Sequence, residues 1–359
     1  MSPTNQNKVL GDGKRQRSVK ILNQHFCGKV QPKRVMEIPA QKKGTHSATA
    51  YSRRNDMLTL ENTWHEEGHF FARWSSESRA VLKDVKTRLG VQLKPTLSSR
   101  CVHVKGRGGA KQCTRYTQIL TDRYPFVARF DIRSYYESMD HGVLLAQLKT
   151  FGVEPVLLSI IKDYLSLPDT ETKGRGMVAG CSISPLLAAV YLTPLDRTME
   201  AFESRLGIKY QRFMDDFVIF SPTRHKLKAV LREMYRVLDQ LKLNVHPNKR
   251  FIGTTKRGFD FLGYRFHPNR KLRPAEVSLN RLFERARRLQ EQGADLIRLR
   301  QYVQRWFSWL HGGLRGRVST KGRFHRIWIR VLKHLAHSRR SSPTLLATTG
   351  LQQIGASHV

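Results

Sequence analysis

Two adjacent carboxylates, Asp215 and Asp216, stand between short runs of bulky apolar residues in the stretch QRFMDDFVIF (211–220). Tyr210 to Phe213 and Phe217 to Phe220 favour β structure, so a tight hairpin with the acids at its turn is expected. Folding alone gives little reason for such a pair. Like charges side by side repel, and carboxylates flanked by apolar strands lose hydration unless a cation neutralises them. A divalent metal is the obvious neutraliser, because hard cations take oxygen ligands. For an isolated Asp-Asp pair a solvated turn is the ordinary alternative, and the rest of the chain has to decide.

At 359 residues the chain is long enough for two or three packed units. Its 64 Lys and Arg against 28 Asp and Glu leave a net charge of +36. Such an excess repels itself without a polyanionic partner, which points to nucleic acid, with an anionic membrane surface as the rival. No run approaches the ~18 apolar residues of a spanning helix. The opening MSPTNQNKVLGDGKRQRSVK lacks the apolar centre of a signal peptide, so a soluble, cytoplasmic protein with no membrane partner is expected. Cys27, Cys101, Cys113 and Cys181 are too scattered for a disulfide framework. Cys101, His103 and Cys113 offer zinc-type ligands without a fourth at finger-like spacing, so buried thiols are expected and no zinc is assigned.

Residues 1–55 read as a basic arm with weak hydrophobic periodicity, either solvated or ordered on RNA. From Asp56 to about Asp122 the chain reads as folded, with Trp64, Phe70, Phe71 and Trp74 marking a core and a helix over Glu77 to Leu89. In RCVHVKGRGGAKQCTR (100–115), Val102 and Val104 alternate as in a strand, and the glycines with Lys105, Arg107 and Lys111 suit either a solvated hairpin or a phosphate contact. Val127 to Ile132 suits a buried strand with Asp131 at its end, followed by Tyr135 and Tyr136. Residues 142–166 read as helical. A glycine loop (174–180) then leads to a helix start at Ser184-Pro185, with Ser as cap and Pro194 as kink or end. Leu227, Val230, Leu231, Met234, Leu238 and Leu241 share one face of a helix over Arg224 to Leu243. NVHPNKRFI (244–252) turns back into a strand and FDFLGYRF (259–266) forms another hairpin. Beyond Pro274, Val277 to Gln290, Asp295 to His311 and Phe324 to His337 read as arginine-rich helices whose tryptophans suit a core better than base stacking. Together these describe an α+β fold.

The order of these blocks resembles the palm of reverse transcriptases of the bacterial group that includes group II intron and retroelement enzymes. FDIRSYYESMDH (130–141), GCSISPLLAAVYLTPLD (180–196), RFMDDFVIF (212–220), LNVHPNKRFI (243–252) and FDFLGYRF (259–266) carry the resemblance. It implies a right-hand polymerase fold, with fingers over 56–125, an antiparallel palm over 126–270, an α-helical thumb over 271–338 and a tail over 339–359. The activity implied is RNA-directed DNA polymerisation with dNTPs on an RNA template from a DNA or RNA primer, in a retroelement or defence system. A maturase-type protein that binds a structured intron or noncoding RNA and assists splicing is the alternative. Asp131, Asp215 and Asp216 would be catalytic. With Ile132 they would hold two Mg²⁺ ions, or Mn²⁺, one acting on the primer 3′-OH and the other on the triphosphate and its leaving pyrophosphate. Tyr136 matches the gate against a ribose 2′-OH. Ser134, Tyr135, Ala179, Gly180 and Lys249 would line the nucleotide, Lys105 and Arg107 are finger candidates, and Phe261, Leu262, Gly263 and Tyr264 would grip the primer.

Two positions depart from the family's pattern. Ala179 stands where a glutamine is common, which suggests relaxed nucleotide discrimination, and Phe213 stands where tyrosine is usual, with little expected consequence. No HNH-like cluster, RNase H domain or retron-type NAxxH or VTG block is evident in the sequence.

Overall fold

A computed structural model describes residues 53–54, 57–66, 69–168, 172–319 and 324–340. The basic arm, with Cys27, lies outside the described residues apart from Arg53 and Arg54, and so does the tail beyond Arg340. In chain order the strands are β1 (Arg53–Arg54), β2 (Thr59–Glu66), β3 (His69–Trp74), β4 (Phe126–Asp131), β5 (Lys209–Phe213), β6 (Asp216–Ser221), β7 (Phe251–Thr254), β8 (Phe259–Phe261), β9 (Tyr264–Phe266) and β10 (Arg273–Pro274). The helices are α1 (Ser76–Gln92), α2 (Gly109–Arg123), α3 (Tyr135–Ser138), α4 (His141–Thr150), α5 (Pro155–Ser166), α6 (Ser184–Tyr191), α7 (Thr193–Leu206), α8 (Arg224–Gln240), α9 (Glu276–Glu291), α10 (Leu296–His311) and α11 (Phe324–Arg340). They fall into two compact units. One holds the described residues up to Gln92 with Met139–Leu187, and the other holds Leu93–Ser138 with the described residues from Ala188 onward.

In the first unit, β1, β2 and β3 form an antiparallel sheet. Phe70 and Trp74 are buried, as expected of core residues. Trp64 is not: it lies exposed, opposite Phe71 in the register, with the two rings stacked at 5.5 Å. Cross-strand partners share a face, so this pair sits on the sheet's outer side. The single helix expected over 142–166 is two, because the chain turns at Gly152, whose φ is 71°, and restarts at Pro155 in the first turn of α5. Ser184 begins α6, but its hydroxyl donates to the Val178 carbonyl at 2.9 Å instead of capping the helix. The expected break at Pro194 is present: α6 ends at Tyr191 and Pro194 falls in the first turn of α7.

The second unit is organised on a four-stranded antiparallel sheet, in the order β5-β6-β4-β7. Its two middle strands read FVARFD and DFVIFS and are apolar on both faces, as strands covered on both sides must be. Phe130 pairs with Phe217 on one face, where Phe130 also meets Tyr235 of α8 edge-on at 6.1 Å. Val127 and Phe220 share the other face, in a cluster with Phe259, Phe266, Leu282, Leu299 and Val331. α8 buries Leu227, Val230, Met234 and Leu238 as expected, with Val237 beside them; Leu231 is only half-buried, and the helix ends at Gln240, short of Leu243. The three arginine-rich helices pack on the same cluster, and Trp306, Trp309 and Trp328 lie against it as core residues. The strand expected at Val102 and Val104 does not form. Residues 101–108 are a turn-rich segment with one parallel bridge, Cys101 to Arg212, and a helix, α2, starts at Gly109.

One ion pair lies wholly inside this unit. The side chains of Arg212 and Asp196 are both 0 % exposed, and Nη2 and Nε of the arginine donate to the two Asp196 oxygens at 2.5 and 2.8 Å. Tyr210 donates its hydroxyl to the same carboxylate at 2.8 Å. The remaining arginine bonds go to the carbonyls of Met214 (2.9 Å) and Ala189 (3.3 Å), so one guanidinium ties β5 to both neighbouring helices and to the hairpin turn. Breaking a buried pair from one side leaves a bare charge and costs about 3–5 kcal/mol. Arg212→Met is therefore expected to lower the unfolding free energy measured in urea by that order, and Arg212→Met with Asp196→Leu by clearly less than the sum of the single changes. Additive losses in urea unfolding would show that the pair does not act as a unit.

Candidate active site

The hairpin register, Phe213 opposite Asp216, leaves Met214 and Asp215 as its two turn residues. Met214 has left-handed backbone, φ 59°, an unfavourable conformation for a side chain with a Cβ. Asp131 ends β4 directly opposite Asp216, so those two acids share a face and Asp215 joins them at the turn. Asp131 and Asp216 are thus cross-strand partners at the end of the sheet.

Burial and neighbouring charge raise the proton affinity of the two hairpin acids. Burial, and then the neighbouring charges of Asp216 and Asp131, push Asp215 up to about 7. Asp216 is also raised, by burial first, against the opposing pull of Arg129. Arg129 Nη2 lies 2.8 Å from Asp216, and Lys249 Nζ lies 3.4 Å from Asp131. Lys249 arrives because residues 244–246 run antiparallel to 131–133: His246 N–H donates to the Asp131 carbonyl (2.7 Å), Arg133 N–H to that of Asn244 (2.8 Å), and Ile132 bridges Val245. Arg129 fastens the same segment through the Lys249 carbonyl at 3.0 Å.

Ser134, exposed with φ 44°, turns the chain into the short helix α3. Tyr135 is buried and donates its hydroxyl to the Ala188 carbonyl at 2.6 Å, so its side chain is a core element. Tyr136 is half-buried, with its ring stacked on Tyr135 at 6.1 Å. Phe261 and Tyr264 are buried as well, and the turn residues Leu262 and Gly263 between them are half-buried. Arg107 is committed elsewhere: its guanidinium donates to the carbonyls of Lys94 (3.0 Å), Leu97 (2.8 Å) and Ser98, and braces that turn, whereas Lys105 is exposed. Ala179 and Gly180 belong to the first unit. There Ala179 N–H donates to the Phe70 carbonyl at 2.7 Å, and a Cβ on Gly180 would meet the Phe71 ring at 3.2 Å.

Four residues at or near the site escaped the sequence reading. Arg129 and Arg212 are charges inside apolar strands, the same anomaly that singled out the acids, but they were lost among so many basic residues. His103, in sequence, reads only as a zinc-type ligand. Lys111 was grouped with the basic turn; instead its ammonium is buried against the rings of Tyr264 and Trp309, at 5.0 and 4.6 Å from their centroids. Burial pushes Lys111 down to about 7 and the Cys101 thiol up to about 12, which agrees with inert buried thiols.

The donor chemistry of the three acids fits a hard divalent cation: all are carboxylates, and the strand register brings them together. Among the described residues no three His, Cys, Asp or Glu side chains converge on one metal position. Arg129 and Lys249 occupy Asp216 and Asp131 in the cation's stead.

Comparison with known proteins gives a family. The reverse transcriptase (RNA-dependent DNA polymerase) family matches residues 70–266, more than half of the chain. No curated protein matches. Among solved structures the chain is similar to apo telomerase from Candida tropicalis, with 9% identity and a TM-score of 0.48 over 85% of this chain and 60% of that one. It is also similar to telomerase from Candida albicans in complex with a TWJ fragment of telomeric RNA, with 14% identity and a TM-score of 0.44 over 70% and 48%. The chain thus spans about half to three fifths of the length of these structures.

A carboxyl whose folded value is about 7, against about 3.9 unfolded, binds its proton more tightly in the native state. Its ionisation therefore destabilises the fold increasingly from about pH 4 to about pH 7, and fully above that. Asp215→Asn is expected to raise the melting temperature of metal-free protein near pH 8 and to bring little change near pH 4. Calorimetry that finds the variant no more stable at the higher pH would contradict this.

Proposed function

The chain belongs to the reverse transcriptase (RNA-dependent DNA polymerase) family, and on that premise we propose that it extends a primer on an RNA template with dNTPs at the Asp131–Asp215–Asp216 cluster. The observation that carries this is the register that sets Asp131 opposite Asp216 beside the turn at Asp215, with Lys249 next to them. Asp131, Asp215 and Asp216, with Ile132, would hold two Mg²⁺ ions, or Mn²⁺. Bound there, such ions supply Lewis-acid stabilisation of the charge that develops on the phosphoryl and departing oxygens.

The chain's own side chains do the rest. Lys249, half-exposed beside Asp131, is placed to meet the negative charge of a triphosphate. Arg129 donates to Asp216 and fixes the backbone that carries Lys249. The half-buried Tyr136 ring, backed by the buried Tyr135, is a rigid wall suited to refusing a 2′-hydroxyl. The net charge of +36 suits an RNA–DNA duplex as the partner. A retroelement or defence system, with a structured RNA as template source, is the biological setting that the sequence blocks support.

Primer extension on poly(rA) and on natural RNA is expected to give Mg²⁺-dependent DNA synthesis that Asp215→Ala/Asp216→Ala abolishes. Extension by neither protein, with RNA binding intact, would favour a maturase-type RNA-binding role instead. In the same assay Ala179→Gln is expected to narrow the misincorporation spectrum by restoring a hydrogen-bonding group. An unchanged spectrum would exclude Ala179 as a determinant of discrimination.

A further inference from the structure

His103 stands two residues beyond Cys101, which bridges Arg212 in parallel, and Met214 stands two residues beyond Arg212. Reciprocal backbone bonds lock that register: Arg212 N–H donates to the Arg100 carbonyl at 3.0 Å, and Val102 N–H to the Arg212 carbonyl at 2.9 Å. His103 is thereby brought level with the hairpin turn. Its Nδ1 accepts the Met214 N–H at 3.0 Å, and its ring meets Phe213 edge-on at 6.0 Å.

Nδ1 faces a second donor. Cys101 Sγ lies 3.5 Å from it, and burial keeps that thiol protonated. Two donors on one ring nitrogen require it to be the unprotonated one, so the imidazole proton belongs on Nε2.

A residue's φ and ψ are fixed once the peptide planes on either side of it are fixed. The plane before Met214 carries the N–H held by His103, and the plane after it carries the carbonyl held by Arg212 at 2.9 Å. Between them they impose the left-handed φ of 59° that a methionine does not favour, and so set the direction in which the chain presents Asp215. We infer that His103 is a positioning residue for the carboxylate turn, acting through Nδ1 on the Met214 amide. The inference rests on the polymerase reading for its kinetic consequence but not for its structural one.

The test compares His103→Phe, which keeps a ring and loses the acceptor, with His103→Asn, whose Oδ1 stands as many bonds from Cα as Nδ1 does. Two readouts are needed: amide exchange of the full-length, metal-free protein over residues 212–217, and the Mg²⁺ dependence of primer extension. Loss of one buried hydrogen bond predicts exchange about tenfold faster at the turn in His103→Phe, with the rest of the sheet unchanged. It also predicts a Mg²⁺ half-saturation about tenfold higher and a lower kcat, with KM for primer–template unchanged, and return towards wild type in His103→Asn. Wild-type exchange and Mg²⁺ dependence in His103→Phe would overturn the inference. So would loss in His103→Asn equal to that in His103→Phe, or faster exchange spread over the whole sheet. If the wild type makes no DNA, the polymerase reading fails while exchange at the turn still decides the role of His103.

Discussion

The buried pair of Arg212 and Asp196 is the interaction on which the geometry of the second unit depends. Two charges taken out of water add little net stability, because desolvation offsets most of their attraction. What they supply is placement. Asp196 is fixed by α7, and through it Arg212 fixes β5, the carbonyl of Ala189 in α6 and the carbonyl of Met214 in the turn. Hydrophobic burial around Phe130, Phe217 and Phe220 holds the sheet together but is indifferent to small rotations of a turn at its edge. The directed bonds of one guanidinium are not.

A second set of charges works at the opposite extreme of exposure. Asp131, Asp215 and Asp216 crowd together in a partly desolvated place, and the chain answers with Arg129 and Lys249 instead of moving the acids apart. The site is a local concentration of carboxylates flanked by two basic side chains, within a protein whose overall charge is +36. Under the proposed function, the basic surface would collect the duplex and the acidic point would hold divalent ions against it.

Much of this was legible in the sequence, for identifiable reasons. The hairpin could be read because apolar β-formers bracket the acids, and α8 to α11 because their apolar positions recur at helical spacing. The use of Arg107 could not. A glycine-rich basic run suggests anions, but three carbonyls of the turn near Lys94 needed donors and took the guanidinium. Helix α2 was hidden because its buried side is Cys113, Thr114, Thr117 and Thr121 with Leu120, a face too polar to register as a stripe. Trp64 was assigned to the core by residue type, although its position opposite Phe71 puts it on the outer face. The parts of the site that hold the turn, His103 and Arg212, depend on the pairing of Cys101 with Arg212, a long-range register that local patterns do not contain.

As a metal-dependent polymerase centre, the turn at Asp215 would bind its ions in the loaded complex. The most direct measurement is the number of Mn²⁺ ions bound, by electron paramagnetic resonance, to the protein assembled with an RNA template, a chain-terminated DNA primer and the next dNTP. Two ions per chain are expected, lost in Asp131→Asn and Asp215→Asn under conditions where both variants still bind the duplex. Mn²⁺ binding that is no greater than that of the free dNTP, or that is unchanged in both variants, would contradict it.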